Sequence, residues 1–206
     1  MTTRTLAVVS AGLGQPSSTR LLADRLAEAT VAAVRDHGDD VVVEVIELRE
    51  LAHDLTDHLL TGFASEPLQA AKDTVSGADG VIAVTPIFSA SYNGLFKNFF
   101  DVLDDHALTD APVLIAATAG TARHSLALEH ALRPLFAYLR AVVVPTAVFA
   151  AAEDWGGGGE VDGGLAARIK RAAGQLADLV VGAPTRRSAS NPFADPIPFE
   201  QLLRGQ

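Results

Sequence analysis

The feature that most constrains the fold is a regular alternation between short apolar runs and segments that read as helices. Five runs have the length and composition of buried strands: residues 6–10, 41–48, 80–85, 112–118 and 141–149. A helical pattern follows each of them, the second after an intervening polar segment. Strands and helices that alternate in this way form a parallel sheet with helices on both faces. The sequence therefore predicts an α/β fold with five parallel strands.

A five-stranded sheet in a chain of 206 residues fits the flavodoxin-like, doubly wound strand order 2-1-3-4-5. The predicted helices are residues 18–36, 66–76, 92–103, 122–140 and 165–181. Residues 49–66 are polar, and we expect them to form an excursion over the surface. Pro134 indicates that its helix is interrupted or starts late. Pro145 indicates that the fifth strand lies at a sheet edge, where a missing N–H is tolerated.

One domain is expected to span residues 1–182, because the chain length suits a single core and about half of the residues are apolar. Four consecutive glycines at 156–159 predict a flexible loop next to Trp155. Residues 183–206 form a tail with four of the ten prolines. This tail also carries apolar side chains such as Phe193 and Phe199, so we expect it to dock on its own domain or on a neighbouring subunit.

The charge and the residue content exclude several classes of function. A formal net charge of −9 argues against binding to nucleic acid or to an anionic membrane surface. The chain has no cysteine, which removes disulfides, thiolate catalysis and cysteine-bound metals. The spacing of His53, Asp54, Asp57 and His58 matches no recognised ligand pattern, so no metal site is expected. The first ten residues lack the features of a signal peptide and no apolar stretch approaches membrane-spanning length, which together predict a cytoplasmic protein.

The loop that follows the first strand has the composition of a phosphate-binding loop. Ligands of open α/β sheets bind at the carboxyl ends of the strands, near the point where strand order reverses. Glycines let this backbone curl around a ligand, and hydroxyl groups at a helix N-terminus suit a phosphate dianion. The candidates are Ser10, Gly12, Ser17, Ser18 and Thr19. The alternative is that Ser17 or Ser18 only caps the helix.

The loop after the third strand has the composition expected around a planar polar ring, and the loop after the fourth strand also has features of a ligand loop. Pro86, Ile87 and Phe88 offer an apolar wall, and Ser89 follows them. Thr118, Ala119 and Gly120 would lie at the next strand end, where glycine permits close backbone approach. His124 has two open interpretations, a ligand contact and an ordinary surface position.

Other nucleotide-binding and hydrolase motifs are incomplete. Gly12 and Gly14 begin a dinucleotide fingerprint, but Ser17 stands where its third glycine belongs. The Gly-Lys-Ser/Thr of a P-loop and the Gly-x-Ser-x-Gly of a serine hydrolase are both absent from the sequence.

These loops resemble those of the NAD(P)H-dependent FMN reductase family of flavodoxin-like proteins. The resemblance rests on Ser-Ser-Thr-Arg in the first loop, the block at residues 85–101 and the Thr-Ala-Gly-Thr after the fourth strand, and it spans about residues 4–180. It is strongest to the actinobacterial branch whose members supply reduced FMN to luciferase-like monooxygenases. In one departure, residues 13–15 lack an arginine that some relatives carry there.

The resemblance implies the roles of the candidate residues. Ser10, Ser17, Ser18 and Thr19 would hold the FMN phosphate, and the residues after the third and fourth strands would border the isoalloxazine. FMN and NAD(P)H would be the ligands, and a homodimer or homotetramer would be the assembly. Hydride transfer between stacked rings needs no obligate acid or base, so no catalytic residue is assigned. A quinone or azo-compound reductase, a flavodoxin-type electron carrier and a non-enzymatic flavin-binding module remain alternatives.

Overall fold

The computed structural model describes residues 1–155 and 164–186. Within these ranges the strands are β1 (Thr3–Ser10), β2 (Asp40–Glu47), β3 (Gly80–Phe88), β4 (Ser91–Tyr92), β5 (Pro112–Ala119), β6 (Val142–Val143) and β7 (Val148–Ala151). The α-helices are α1 (Ser18–Asp36), α2 (Ala52–Thr61), α3 (Glu66–Gly77), α4 (Gly94–Asp101), α5 (Arg133–Tyr138) and α6 (Leu165–Gly182). Strands and helices alternate along the chain, as the pattern of apolar runs predicts.

The sheet has the order β2-β1-β3-β5, and both β6 and β7 pair with the outer edge of β5. All of these pairings are parallel, whereas β4 folds back as an antiparallel hairpin on β3. The predicted flavodoxin-like α/β sheet is confirmed, with the predicted fifth strand divided into β6 and β7. The division falls around Pro145, which cannot donate a ladder hydrogen bond and therefore sits between the two short edge strands.

The central strands β1, β3 and β5 are buried on both faces, because alternate residues point to opposite sides and each side is covered by helices. On one face, Val8 and Leu114 pack against α1 and α6. On the other face, Val9 and Ile115 pack against a layer that includes the phenylalanines of α4 and α5. Four of these aromatic rings are fully or almost fully buried and contact one another: Phe96, Phe99, Phe100 and Phe136. This double-sided core fixes the strand ends that carry the candidate site.

Two predicted segments differ in detail from the structure. The predicted surface excursion at residues 49–66 contains regular structure, because a 3₁₀ turn at Leu48–Leu51 leads into α2, whose Leu55 is fully buried. The predicted helix 92–103 begins later, because Tyr92 pairs with Ile87 in the hairpin.

The segment 122–140 is interrupted, as Pro134 predicts. It contains a 3₁₀ turn at Ala122–His124, a π-helical turn at Leu128–Leu132 and then α5. Pro134 lies in the first turn of α5, where its missing N–H costs no helical hydrogen bond.

The first residues after α6 are held at the amino ends of the strands. Arg186 donates to the carbonyls of Ala107 (3.0 Å) and Thr109 (3.3 Å), and its backbone N–H donates to Asp79 (2.7 Å). Burial lowers the pKa of Arg186, an effect that the nearby charge of Asp79 opposes. The expected glycine loop at 156–159 and the docking expected of the tail beyond residue 186 lie outside the described residues.

Replacement of a sheet leucine tests the double-sided core. Leu114 is fully buried, so Leu114→Ala removes packed methyl groups and should lower the free energy of unfolding by about 2–5 kcal/mol. The same change at Leu60, which is 81% exposed on α2, should alter it by less than about 0.5 kcal/mol. Urea unfolding followed by circular dichroism measures both values, and equal losses at the two positions would contradict this packing.

Candidate functional site

The three predicted ligand loops are tied together by hydrogen bonds at one edge of the sheet. They follow β1, β3 and β5, which are neighbours in the parallel sheet. The hydroxyl groups of Thr19 and Thr118 lie 2.8 Å apart, and both side chains are buried. This contact joins the first turn of α1 to the end of β5, across the strand that separates β1 from β5.

Asn93 makes the second connection between loops. Its side-chain amide donates to the carbonyl of Ala11 (2.8 Å), and its Oδ1 accepts from the N–H of Phe96 (2.8 Å). Its own N–H donates to the Thr85 hydroxyl at 3.3 Å. Asn93 is only 3% exposed, so these bonds satisfy a buried amide and also cap α4. Sequence reasoning missed Asn93, although an asparagine just before a helix is a recognisable N-cap signal.

The first loop closes tightly around the N-terminus of α1. Ser17 is the N-cap of this helix, and its Oγ accepts from the backbone N–H of Arg20 at 3.2 Å. The capping alternative for Ser17 is therefore realised in the structure. The N–H groups of Ser18 and Thr19 come earlier in the same turn, where a helix has no carbonyl of its own to offer them. Such amides, with the positive end of the helix dipole, suit an anion.

Gly12 is required by the shape of this loop. A Cβ atom at position 12 would lie 2.1 Å from Ser17 Oγ, 3.2 Å from Ser17 Cβ and 3.1 Å from Thr19 Cβ. A larger residue must therefore displace the capping serine or the threonine that contacts β5. Ser10, at the end of β1, is also buried, and Ser18 is exposed at the start of α1.

The second loop is a two-residue hairpin with strained backbone. Ile87 pairs with Tyr92 and Phe88 with Ser91, which leaves Ser89 and Ala90 at the turn. Both turn residues have positive φ angles, 49° and 69°, as a type I′ turn requires. Neither is a glycine, so the hairpin stores strain of the kind that clusters at ligand sites. It presents Phe88, which is 49% exposed, and half-buried Pro86.

The third loop leaves the end of β5 with small residues. Thr118 is buried, Ala119 is half-buried and Gly120 is exposed. No atom lies within 4 Å of the position where a Cβ of Gly120 would be, so this part of the loop borders open space. Thr121 caps the short 3₁₀ turn that follows, on which His124 is half-buried.

The charged groups beside the first loop form a closed network. Arg20 donates to Asp24 (2.7 Å) and to Glu47, while Arg49 donates to the other oxygen of Glu47 (2.9 Å). Asp24 raises the pKa of Arg20 most, through its hydrogen bond, and Glu47 adds to this effect. Arg20 is thus engaged by carboxylates and does not simply point into solvent. Sequence reasoning had no signal for Glu47, because its contact with Arg20 depends on the register of β2 against β1.

The geometry fits a phosphorylated planar ligand. The N-terminus of α1 lies at the end of the first loop. The second loop carries the apolar side chains of Pro86 and Phe88, and the third loop carries small residues. All twelve residues predicted to contact a flavin nucleotide lie at the carboxyl ends of β1, β3 and β5, in the segments that follow these strands, or in the first turn of α1. Among residues 1–155 and 164–186, no group of three or more histidine and acidic side chains could hold a metal ion.

Comparison with known proteins identifies the family. Residues 4–156 match the model of the NADPH-dependent FMN reductase family. The chain belongs to this family.

Individual members of the family match most of the chain. The FMN reductase (NADPH) of Pseudomonas aeruginosa is 39% identical over 176 residues, which are 84% of this chain and 91% of the relative. The NADH-dependent FMN reductase SfnE of Pseudomonas putida is 37% identical over 83% of this chain and 89% of the relative. An oxidoreductase from Corynebacterium diphtheriae has a solved structure with 53% identity and a TM-score of 0.85, covering 89% of this chain and all of that one. This FMN reductase is therefore an oxidoreductase that uses NAD(P)H and FMN.

The close packing at Gly12 gives a direct test of the first loop. Gly12→Ala should weaken FMN binding on the order of tenfold, because the added methyl group displaces the serine that shapes the anion-binding turn. Gly174→Ala is the matched control, since nothing lies within 4 Å of its Cβ position in α6. Quenching of flavin fluorescence measures both affinities. Unchanged FMN affinity in Gly12→Ala would contradict a role for this turn in binding.

Proposed function

We propose that the FMN phosphate binds the loop at residues 10–19 and that the isoalloxazine lies between the turns at Pro86 and Gly120. The observation that carries this proposal is the pair of buried connections, Thr19 to Thr118 and Asn93 to Ala11, which hold three suitable loops at the switch point of the sheet. Open α/β sheets bind their ligands at this position.

The phosphate part of the proposal rests on the N-terminus of α1. The free N–H groups of Ser18 and Thr19 and the hydroxyl groups of Ser10, Ser17 and Ser18 supply donors without a formal positive charge. Each helix-terminus interaction contributes about 0.3–1 kcal/mol, so several must converge on the phosphate. Gly12 supports this convergence, because a Cβ at this position would crowd the side chains of Ser17 and Thr19 and force them to shift.

The ring part of the proposal rests on the two neighbouring loops. Half-buried Pro86 and exposed Phe88 offer an apolar surface, and Ser89 offers polar groups at the strained turn. Ile87, which the sequence placed in the same wall, is instead buried in the core because it packs against the helices on that face of the sheet. Ala119 has a small side chain and Gly120 has none. The opposite side of the proposed ring site therefore has room for a second planar ring to stack on the flavin. Backbone N–H and C=O groups of both loops are available to the polar edge of an isoalloxazine.

We propose that the nicotinamide stacks on the exposed face of the bound flavin. When bound, the flavin would supply two-electron chemistry, with hydride transfer from the nicotinamide C4 to flavin N5 oxidising NAD(P)H and reducing FMN. The protein holds the two rings in contact and excludes water between them, and proximity supplies most of the rate acceleration. No side chain is required to transfer a proton at the reacting atoms, so no catalytic residue is assigned.

The electron acceptor, the cellular location and the oligomeric state are also proposals. Relatives named for NADPH and for NADH both match the chain, and the first-loop sequence resembles the actinobacterial branch. We propose that reduced FMN leaves the site and supplies a luciferase-like flavin-dependent monooxygenase in the cytoplasm, and that the enzyme works as a homodimer or homotetramer. Within the described residues, none of the helices combines the length and apolar character needed to cross a bilayer.

A steady-state assay tests the proposed function. The purified protein should oxidise NADH or NADPH, measured by loss of nicotinamide absorbance, only when FMN is added. Riboflavin should support the reaction at a much higher KM, because it lacks the phosphate that the first loop binds. Equal KM values for FMN and riboflavin would contradict the phosphate site. Turnover with a quinone or azo compound at far higher kcat/KM than with free FMN would favour the alternative reductase, and tight FMN binding without turnover would favour an electron carrier or binding module.

A further inference from the structure

We propose that Glu47 keeps FMN binding reversible by neutralising the two arginines beside the phosphate loop. This inference rests on the proposed phosphate site and concerns how tightly that site holds its ligand. A reductase that releases its reduced flavin needs a site that binds the phosphate and also lets it go. The charge network around Glu47 supplies a physical reason for moderate affinity.

Glu47 lies directly beside the first loop. It is the last residue of β2 and stands opposite Ser10 in the parallel register, so both mark the carboxyl edge of the sheet. Its side chain is 24% exposed, which leaves its charge incompletely screened by water. Its carboxylate therefore adds a negative charge next to the place proposed for a phosphate dianion.

Arg20 would be the natural counter-ion for that phosphate. It belongs to the first turn of α1, directly after Thr19, and side chains in a helix lean towards its N-terminus. Its guanidinium group is instead bound to Glu47 and Asp24. Guanidinium groups in paired contacts with carboxylates are less available to another anion.

Arg49 is held by the same carboxylate. It donates to Glu47 at 2.9 Å and to Glu50 at 3.3 Å, and its side chain is 22% exposed. The network thus contains two guanidinium groups and three carboxylates, which leaves one net negative charge. Glu47 is the member that contacts both arginines, whereas Asp24 contacts Arg20 and Glu50 contacts Arg49.

Glu47→Gln tests this inference because it removes the charge and keeps the shape. The dissociation constant for FMN should fall about three- to tenfold, since each arginine loses one of its two carboxylate partners and can attract the phosphate more strongly. The dissociation constant for riboflavin, which has the same ring and no phosphate, should stay unchanged. High salt should reduce the gain, because released charges near the surface are screened.

Two further variants distinguish the effect of the Glu47 charge from a general change in structure. Glu50→Gln makes the same chemical change three residues away at an exposed side chain that contacts Arg49 alone, and it should leave FMN affinity nearly unchanged. Glu47→Asp retains the charge and should bind FMN like the wild-type protein. Thermal unfolding of each variant, without ligand, reports any general loss of structure.

The measured affinities of these variants either support or overturn the inference. Tighter binding of FMN but not of riboflavin, confined to Glu47→Gln, supports the inference. Unchanged or weaker FMN binding, equal gains for both flavins, or the same gain in Glu50→Gln would overturn it. Failure of the phosphate site itself has a different signature, because the wild-type protein would then bind FMN and riboflavin equally well.

Discussion

The candidate site depends on buried hydrogen bonds between loops that are distant in sequence. Thr19 meets Thr118 at 2.8 Å, and Asn93 reaches the carbonyl of Ala11 at 2.8 Å. A buried polar group without a partner costs about 1–3 kcal/mol, so these side chains strongly favour the arrangement in which all of them are paired. The same bonds cap α4 and position the first turn of α1. Loop geometry and helix capping are therefore maintained by one set of interactions.

The edge of the sheet that carries these loops therefore has two chemically different parts. At the N-terminus of α1, first-turn amides and serine hydroxyl groups favour an anion. Towards β5, the strained hairpin and the small residues around Gly120 favour a flat ring and leave room above it. A phosphorylated tricyclic ligand matches both halves, and the family relationship names FMN as the flavin and NAD(P)H as its reductant. The flavin supplies the redox chemistry, and the protein contributes placement and local electrostatics.

Local sequence patterns predicted most of the fold. The apolar runs from residue 6 to residue 118 locate the four long parallel strands. Burial on both faces demands continuous valine, isoleucine, leucine and alanine in β1, β3 and β5, and β-branched residues mark the more exposed β2. Pro145 predicted an edge position, and the strand is broken there. The patterns failed where a tertiary contact decides the outcome. A single buried side chain, Leu55, fixes α2 against the core, and pairing of Tyr92 with Ile87 delays the start of α4.

The site shows the same difference between features set by local sequence and features set by tertiary contacts. Ser17, Gly12 and Gly120 were recognisable because hydroxyl groups and glycines at strand ends have local physical meanings. Glu47 was not recognisable, because its contact with Arg20 requires two strands in register and a helix packed over them. Asn93 lies between these cases, since its capping role is local and its bond to Ala11 is not.

A crystal structure of the protein with FMN tests the central claim most directly. The account predicts phosphate oxygens within hydrogen-bonding distance of the Ser18 and Thr19 amides, and the isoalloxazine between the turns at Pro86 and Gly120. An FMN molecule bound elsewhere on the protein, with these three loops free of ligand, would contradict it.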